Sequence, residues 1–95
     1  MVAKRTGAEG DAWTGYAKDL AANLRRLREE AGLSQEDVAY RSGLTRYTYQ
    51  KYEKGESKPG TPANPTIRTL LALSQTLGVS LLDVLPAKVP DLRLR

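Results

Sequence analysis

The segment at residues 35–55, QEDVAYRSGLTRYTYQKYEKG, constrains this chain more than any other. It reads as two short helices broken by a glycine-containing turn. Ser34 is an N-cap candidate, because its hydroxyl can accept from the first-turn backbone, and Asp37 can return a bond to the Ser34 N–H. Val38 and Ala39 give the first helix a small apolar face, and Gly43 punctuates the turn. Thr45 caps the second helix. There Tyr49 and Tyr52 share one side, whereas Arg46 with Gln50 and Tyr47 with Lys51 form i,i+4 pairs on the other. Long donor side chains at those offsets, on a helix held across another, suit the major groove of duplex DNA.

The surrounding sequence extends this pattern. LRRLREEAGLSQEDVAYRSGLTRYTYQKYEKG, followed by PTIRTLLALSQTLGVSLLDVL, resembles the Cro/CI-type (Xre-family) helix-turn-helix domain of bacterial and phage regulators. The resemblance spans residues 20–85. GLSQ precedes helix 2, Gly-x-x-Arg leads into helix 3, Glu-x-Gly follows it, and LGVS precedes helix 5. Each tetrapeptide alone is weak; their order and spacing together carry the resemblance. It implies an all-α, five-helix, lambda-repressor-like DNA-binding domain with the helix-turn-helix formed by helices 2 and 3.

Ninety-five residues fit one small domain. An apolar share of 40% with 27% charged residues is ordinary globular composition rather than that of a disordered chain. Without cysteine there is neither a disulfide framework nor a thiolate metal site. No apolar run approaches a membrane span and no signal-peptide core is present, so a cytoplasmic protein with no membrane partner is expected. The net charge of +4 favours an anionic partner only mildly, and its distribution says more. Residues 45–58 hold Arg46, Lys51, Lys54 and Lys58 against Glu53 and Glu56, whereas residues 66–85 are neutral.

Residues 1–15 are rich in Gly and Ala without a sustained apolar period, and read as a flexible arm. Trp13 within it packs either on the start of helix 1 or on a partner subunit. The domain occupies 16–85, with helices expected at 16–31, 35–42, 45–53, 66–77 and 81–85. Tyr16, Leu20, Leu24, Leu27 and Ala31 make the buried stripe of helix 1. Residues 56–65, with three prolines and a glycine, read as a loop longer than the family usually carries. Thr66 caps helix 4, where Ile67, Leu70, Leu71, Leu73 and Leu77 form a broad packing surface. Ser80 and Asp83 repeat the capping box before LLDVL, which Pro86 stops. The tail, 86–95, is open to disorder, a dimer contact or an edge strand, with disorder favoured.

Catalysis finds little support. Histidine and cysteine are absent, removing the commonest general base and the usual metal ligands, and no phosphate-cradling glycine motif occurs. No cofactor is expected, and no small-molecule effector is evident. The resemblance instead places helix 3 in the major groove, with Arg46, Tyr47, Gln50 and Lys51 at the base-contacting positions. Their chemistry fits, since Arg matches guanine O6/N7 and Gln matches adenine N6/N7. Gln35, at the start of helix 2, falls where the family fixes a phosphate, with Arg41, Thr45, Lys54 and Lys58 as further phosphate contacts. The resemblance also pairs Arg28 with Glu53 as a buried structural ion pair. Tyr49 and Tyr52 depart from the aliphatic residues the family places there, and each hydroxyl needs a partner or water. The expected function is a sequence-specific regulator of the repressor type, a homodimer on a palindromic double-stranded operator. The alternative is an antitoxin-type or adaptor module whose main partner is protein.

Overall fold

Four side-chain oxygens set where the later helices begin. Ser34, Thr45, Thr66 and Ser80 each hold an extended backbone and accept a bond from an N–H three residues on. Each thereby satisfies a donor that the first helical turn leaves without a partner. Ser34 with Asp37 and Ser80 with Asp83 close full capping boxes. The computed structural model describes residues 7–93. In chain order they form α1 (Gly7–Glu30), α2 (Gln35–Arg41), α3 (Arg46–Lys54), β1 (Glu56–Lys58), β2 (Thr61–Pro62), α4 (Ile67–Leu77) and α5 (Leu81–Val84).

The core is helical. Leu20, Leu24 and Leu27 of α1 meet Val38 and Ala39 of α2, Tyr49 of α3, Leu70, Leu73 and Leu77 of α4, and Val84 of α5. Ala17 and Ala21 extend the buried stripe of α1, whereas Ala31 lies past the end of that helix and is exposed. Only part of the expected α4 surface packs inward. Leu70, Leu73 and Leu77 are buried, but Ile67 and Leu71 face outward because the apolar arc is wider than the contact it meets. On α5 the pattern splits likewise: Val84 is fully buried and Leu82 is 82% exposed. Asn23 Nδ2 donates to the Val84 carbonyl at 3.0 Å, tying α5 to α1.

Two expected boundaries need correction. Helix α1 opens at Gly7, so residues 7–15, read as an arm, are helical; residues 1–6 lie outside the described residues. Gly10 and Gly15 each cost roughly 0.5–1 kcal/mol in a helix interior. Against that cost stand the alanines of the segment and a stack of Trp13 on Tyr16 with ring centroids 5.6 Å apart. The second correction is the expected loop. Residues 56–62 of it form an antiparallel hairpin with Glu56 opposite Pro62 and Lys58 opposite Thr61, turning at Gly60. The hairpin is anchored where the Ala63 N–H donates to the Gly55 carbonyl at 2.9 Å and Ala63 itself is buried. Gly55 ends α3 at φ 77° and lies against α1, where an added Cβ would meet the Ala17 carbonyl and Lys18 Cα at 3.2 Å. Only glycine satisfies both demands.

The tail lies along α1. Tyr16 donates its hydroxyl to the Pro86 carbonyl at 3.3 Å. Beyond it, Lys88, Val89 and Pro90 face Ala12, Gly15 and Asp19 across a shallow groove of about 250 Å³. Among the described residues no helix is long and apolar enough to cross a membrane.

Candidate nucleic-acid interface

The crossing of α2 and α3 is fixed by a tight turn and a shared core. Leu44 donates its N–H to the Ala39 carbonyl at 2.8 Å, and Gly43 takes φ 74°, which reverses the chain at little steric cost. Val38, Ala39 and Tyr49 fill the space between the two helices, and the Ser42 and Thr76 hydroxyls join the turn to α4 at 2.8 Å. Thr45 caps α3 by accepting from the Thr48 N–H at 3.0 Å and directs its own hydroxyl to Thr48 Oγ1 at 2.9 Å.

Beneath α3 lies a buried polar cluster. Arg28 grips the Glu53 carboxylate with two donors, Nε to Oε2 at 2.6 Å and Nη2 to Oε1 at 3.2 Å. Its third donor, Nη1, reaches the Leu33 carbonyl at 3.1 Å. Glu53 is only 3% exposed. Burial alone would raise its pKa, but the bonds from Arg28 and Gln35 outweigh that and hold the carboxyl below its usual range. The Glu53 hydrogen bond likewise raises the Arg28 pKa. Burial pushes the Tyr49 hydroxyl far up; it sits beside Glu53 without reaching a well-formed hydrogen bond. Arg25 Nη1 donates to the Glu53 backbone carbonyl near the C-terminal end of α3.

The opposite side of α3 faces solvent. Arg46 and Tyr47 are exposed, and Lys51 folds back so that Nζ lies 4.4 Å from the Tyr47 ring centroid. Gln50 is half-buried and donates from Nε2 to Gln35 Oε1 at 3.1 Å, while Gln35 Nε2 donates to Glu53 Oε1 at 3.0 Å. Gln35 thus bridges the buried cluster and the outer face. Arg41 on α2, Lys54 at the end of α3 and Lys58 on β1 are exposed, and with Arg46 they hold no ion pair among the described residues. Because Glu53 is buried against Arg28, its charge does not offset these cations at the surface. The structure therefore brings Gln35, Arg46, Tyr47, Gln50 and Lys51 together around the α2–α3 crossing, with Lys54 at the end of α3 and Lys58 on the hairpin that follows.

A helix-turn-helix domain family model matches residues 19–86. That span contains the turn, both crossing helices and the packing helices that hold them. The chain belongs to the Xre-type helix-turn-helix regulators. It is 43% identical over 63 residues to an uncharacterized HTH-type transcriptional regulator, y4dJ, of Sinorhizobium fredii, covering 66% of this chain and 74% of that one. A prophage-derived HTH-type regulator, YonR, of Bacillus subtilis is 42% identical over 57 residues, covering 60% of this chain and 47% of the relative. Among solved structures, the restriction-modification controller protein C.AhdI from Aeromonas hydrophila matches with a TM-score of 0.63 and 29% identity. That match covers 72% of this chain and 94% of C.AhdI. This Xre-type chain is a transcriptional regulator with a helix-turn-helix DNA-binding domain.

Two links in the interface have no clear sequence signal. The Gln35–Gln50 and Gln35–Glu53 bonds depend on how α2 crosses α3, which residue spacing does not encode. The Tyr47–Lys51 contact does have one, since an aromatic and a lysine four apart on a helix are neighbours.

Proposed function

We propose that this regulator is a sequence-specific repressor that reads the major groove with α3, as a cytoplasmic homodimer on a palindromic operator. The observation that carries the reading is the division of charge across α3. Its outward side presents Arg46, Tyr47 and Lys51, while its one carboxylate is buried against Arg28. Arg46, Tyr47, Gln50 and Lys51 address bases; Gln35, Arg41, Thr45, Lys54 and Lys58 hold phosphates on either side. Gln35 and Thr45 stand at helix starts, where backbone N–H groups and the helix dipole favour an anion. A single recognition helix reads few base pairs, so two copies on half-sites about one helical turn apart supply the remaining affinity and specificity. The controller role of C.AhdI supports a regulatory function.

Selection of bound sequences from a random duplex pool, followed by titration at two salt concentrations, tests the reading. The expected result is a two-fold symmetric site and a steep fall in affinity with salt. Binding without salt dependence or sequence preference would favour a protein-interaction module instead.

A further inference from the structure

The outward groups of α3 are not equally free. Arg46 ends in solvent, but the Gln50 amide is already engaged, donating from Nε2 to Gln35 Oε1 at 3.1 Å. The Gln35 amide donates in turn from Nε2 to Glu53 Oε1 at 3.0 Å. An amide has two unlike ends, an NH2 that donates and an oxygen that accepts. The direction of the whole chain is therefore decided at its buried terminus. Glu53 is gripped by two Arg28 donors, so it is ionised and both of its oxygens only accept. Gln35 must turn its NH2 to Glu53 and its oxygen toward α3, and Gln50 must then turn its NH2 to Gln35. Reversing Gln35 alone would set oxygen against oxygen on the Glu53 side and NH2 against NH2 on the Gln50 side. What remains of Gln50 for a ligand is its carbonyl oxygen and one N–H.

We propose that the buried Arg28–Glu53 pair sets, through Gln35, the hydrogen-bond polarity of Gln50, so that Gln50 selects bases offering an amino hydrogen in the major groove. This inference rests on α3 entering that groove, as proposed above. Adenine presents N6–H2 beside N7 and matches both remaining groups of Gln50, and cytosine N4–H2 matches the oxygen. Guanine offers N7 and O6 and thymine offers O4, acceptors that can take only the remaining N–H and leave the carbonyl oxygen without a donor. Arg46, one turn earlier, carries donors only and suits guanine, so the two neighbours read complementary base classes. Glu53 acts as a positioning residue for specificity, through Gln35 and without touching DNA.

The test uses the full-length chain and the duplex selected from a random pool, varied base by base. In the wild type, one step per half-site favours A or C over G or T by on the order of tenfold, and Gln50→Leu flattens that step. Gln35→Leu leaves the Arg28–Glu53 pair in place but frees the Gln50 amide to turn, so most of the discrimination at that step disappears. Glu53→Gln goes further. Its carbonyl accepts from Arg28 Nε, the closer of the two Arg28 donors, its NH2 displaces the longer Nη2 contact and faces Gln35, both amides reverse, and the preference moves to G or T. Thermal melts establish which variants fold, and Gln35→Leu decides the matter alone if Glu53→Gln does not. A Gln50-dependent step that favours G or T in the wild type overturns the proposal. So does an A or C preference that survives Gln35→Leu, or a site indifferent to Gln50→Leu. Absence of any sequence preference in the wild type overturns the reading of α3 itself, and this inference with it.

Discussion

At the scale of single residues, the Arg28–Glu53 pair dominates the energetics beneath α3. Removing one partner of a buried pair typically costs about 3–5 kcal/mol, because a desolvated charge is left behind. Arg28→Met leaves a carboxylate only 3% exposed and is expected near that range. Glu53→Gln should cost less, since Arg28 keeps the Leu33 carbonyl and some solvent. The double variant should recover part of the sum, and denaturant melts of all three check it. The pair also sets a pH dependence. The folded pKa of Glu53 is lowered, so its contribution is complete above the unfolded carboxylate value of about 4.3 and is lost as pH falls through the lower folded value. Acid melts of Glu53→Gln should therefore be flatter than wild type in that window. Tyr49→Phe gives the contrasting case. Its hydroxyl is buried without a well-formed bond, so deletion should change stability by less than about 1 kcal/mol. A loss much above that would show that the hydroxyl helps hold Glu53. The need for a Tyr49 partner was readable from a tyrosine on the inner face; the incomplete answer was not, because it depends on the position of Glu53.

At the scale of elements, local chemistry and tertiary contact divide the outcome. The caps at Ser34, Thr45, Thr66 and Ser80 are short-range signals, and the structure starts a helix after each. The hairpin at 56–62 and the extra turns of α1 are not short-range. Proline and glycine density reads as loop, and glycine reads as arm, until Ala63 anchors to Gly55 and Trp13 stacks on Tyr16. Gly55→Ala tests that anchor. A non-glycine residue at φ 77° costs about 1–3 kcal/mol, and the 3.2 Å approach of the α1 backbone adds to it. The expected result is a lowered melting temperature; an unchanged one would mean that α1 yields easily. On α3, Arg46→Ala should cost specific binding about 1–3 kcal/mol per half-site and relax one base position. Lys54→Ala and Lys58→Ala should instead weaken all duplexes alike and reduce the salt slope by at most about one unit each. Binding across single-base operator variants separates the two kinds of contact. An even loss for Arg46→Ala would remove it from the base-reading set.

At the scale of the whole molecule, the question is what covers the outward apolar side chains. LLDVL reads equally as the last piece of a monomer core or as a dimer contact, because a run this short and this apolar shows no period from which a buried face could be chosen. The structure divides the segment: Val84 completes the core and Leu82 projects, 82% exposed. Ile67 and Leu71, one turn apart on α4, are exposed as well, and α4 packs directly on α5. Outward leucines and an isoleucine on adjoining helices suit a self-complementary contact about a two-fold axis, which a palindromic operator would mirror. Leu82→Glu tests this without disturbing the core, because the side chain makes no buried contact that the monomer needs. The variant should melt within about 0.5 kcal/mol of wild type, as surface changes do. In sedimentation at micromolar concentration the wild type should be dimeric and Leu82→Glu shifted toward monomer. On DNA, the variant should keep its base preferences on a half-site while losing the gain that a second half-site provides. A wild type that sediments as a monomer both free and on a full operator would leave α3 as a recognition helix and exclude pairing through α5.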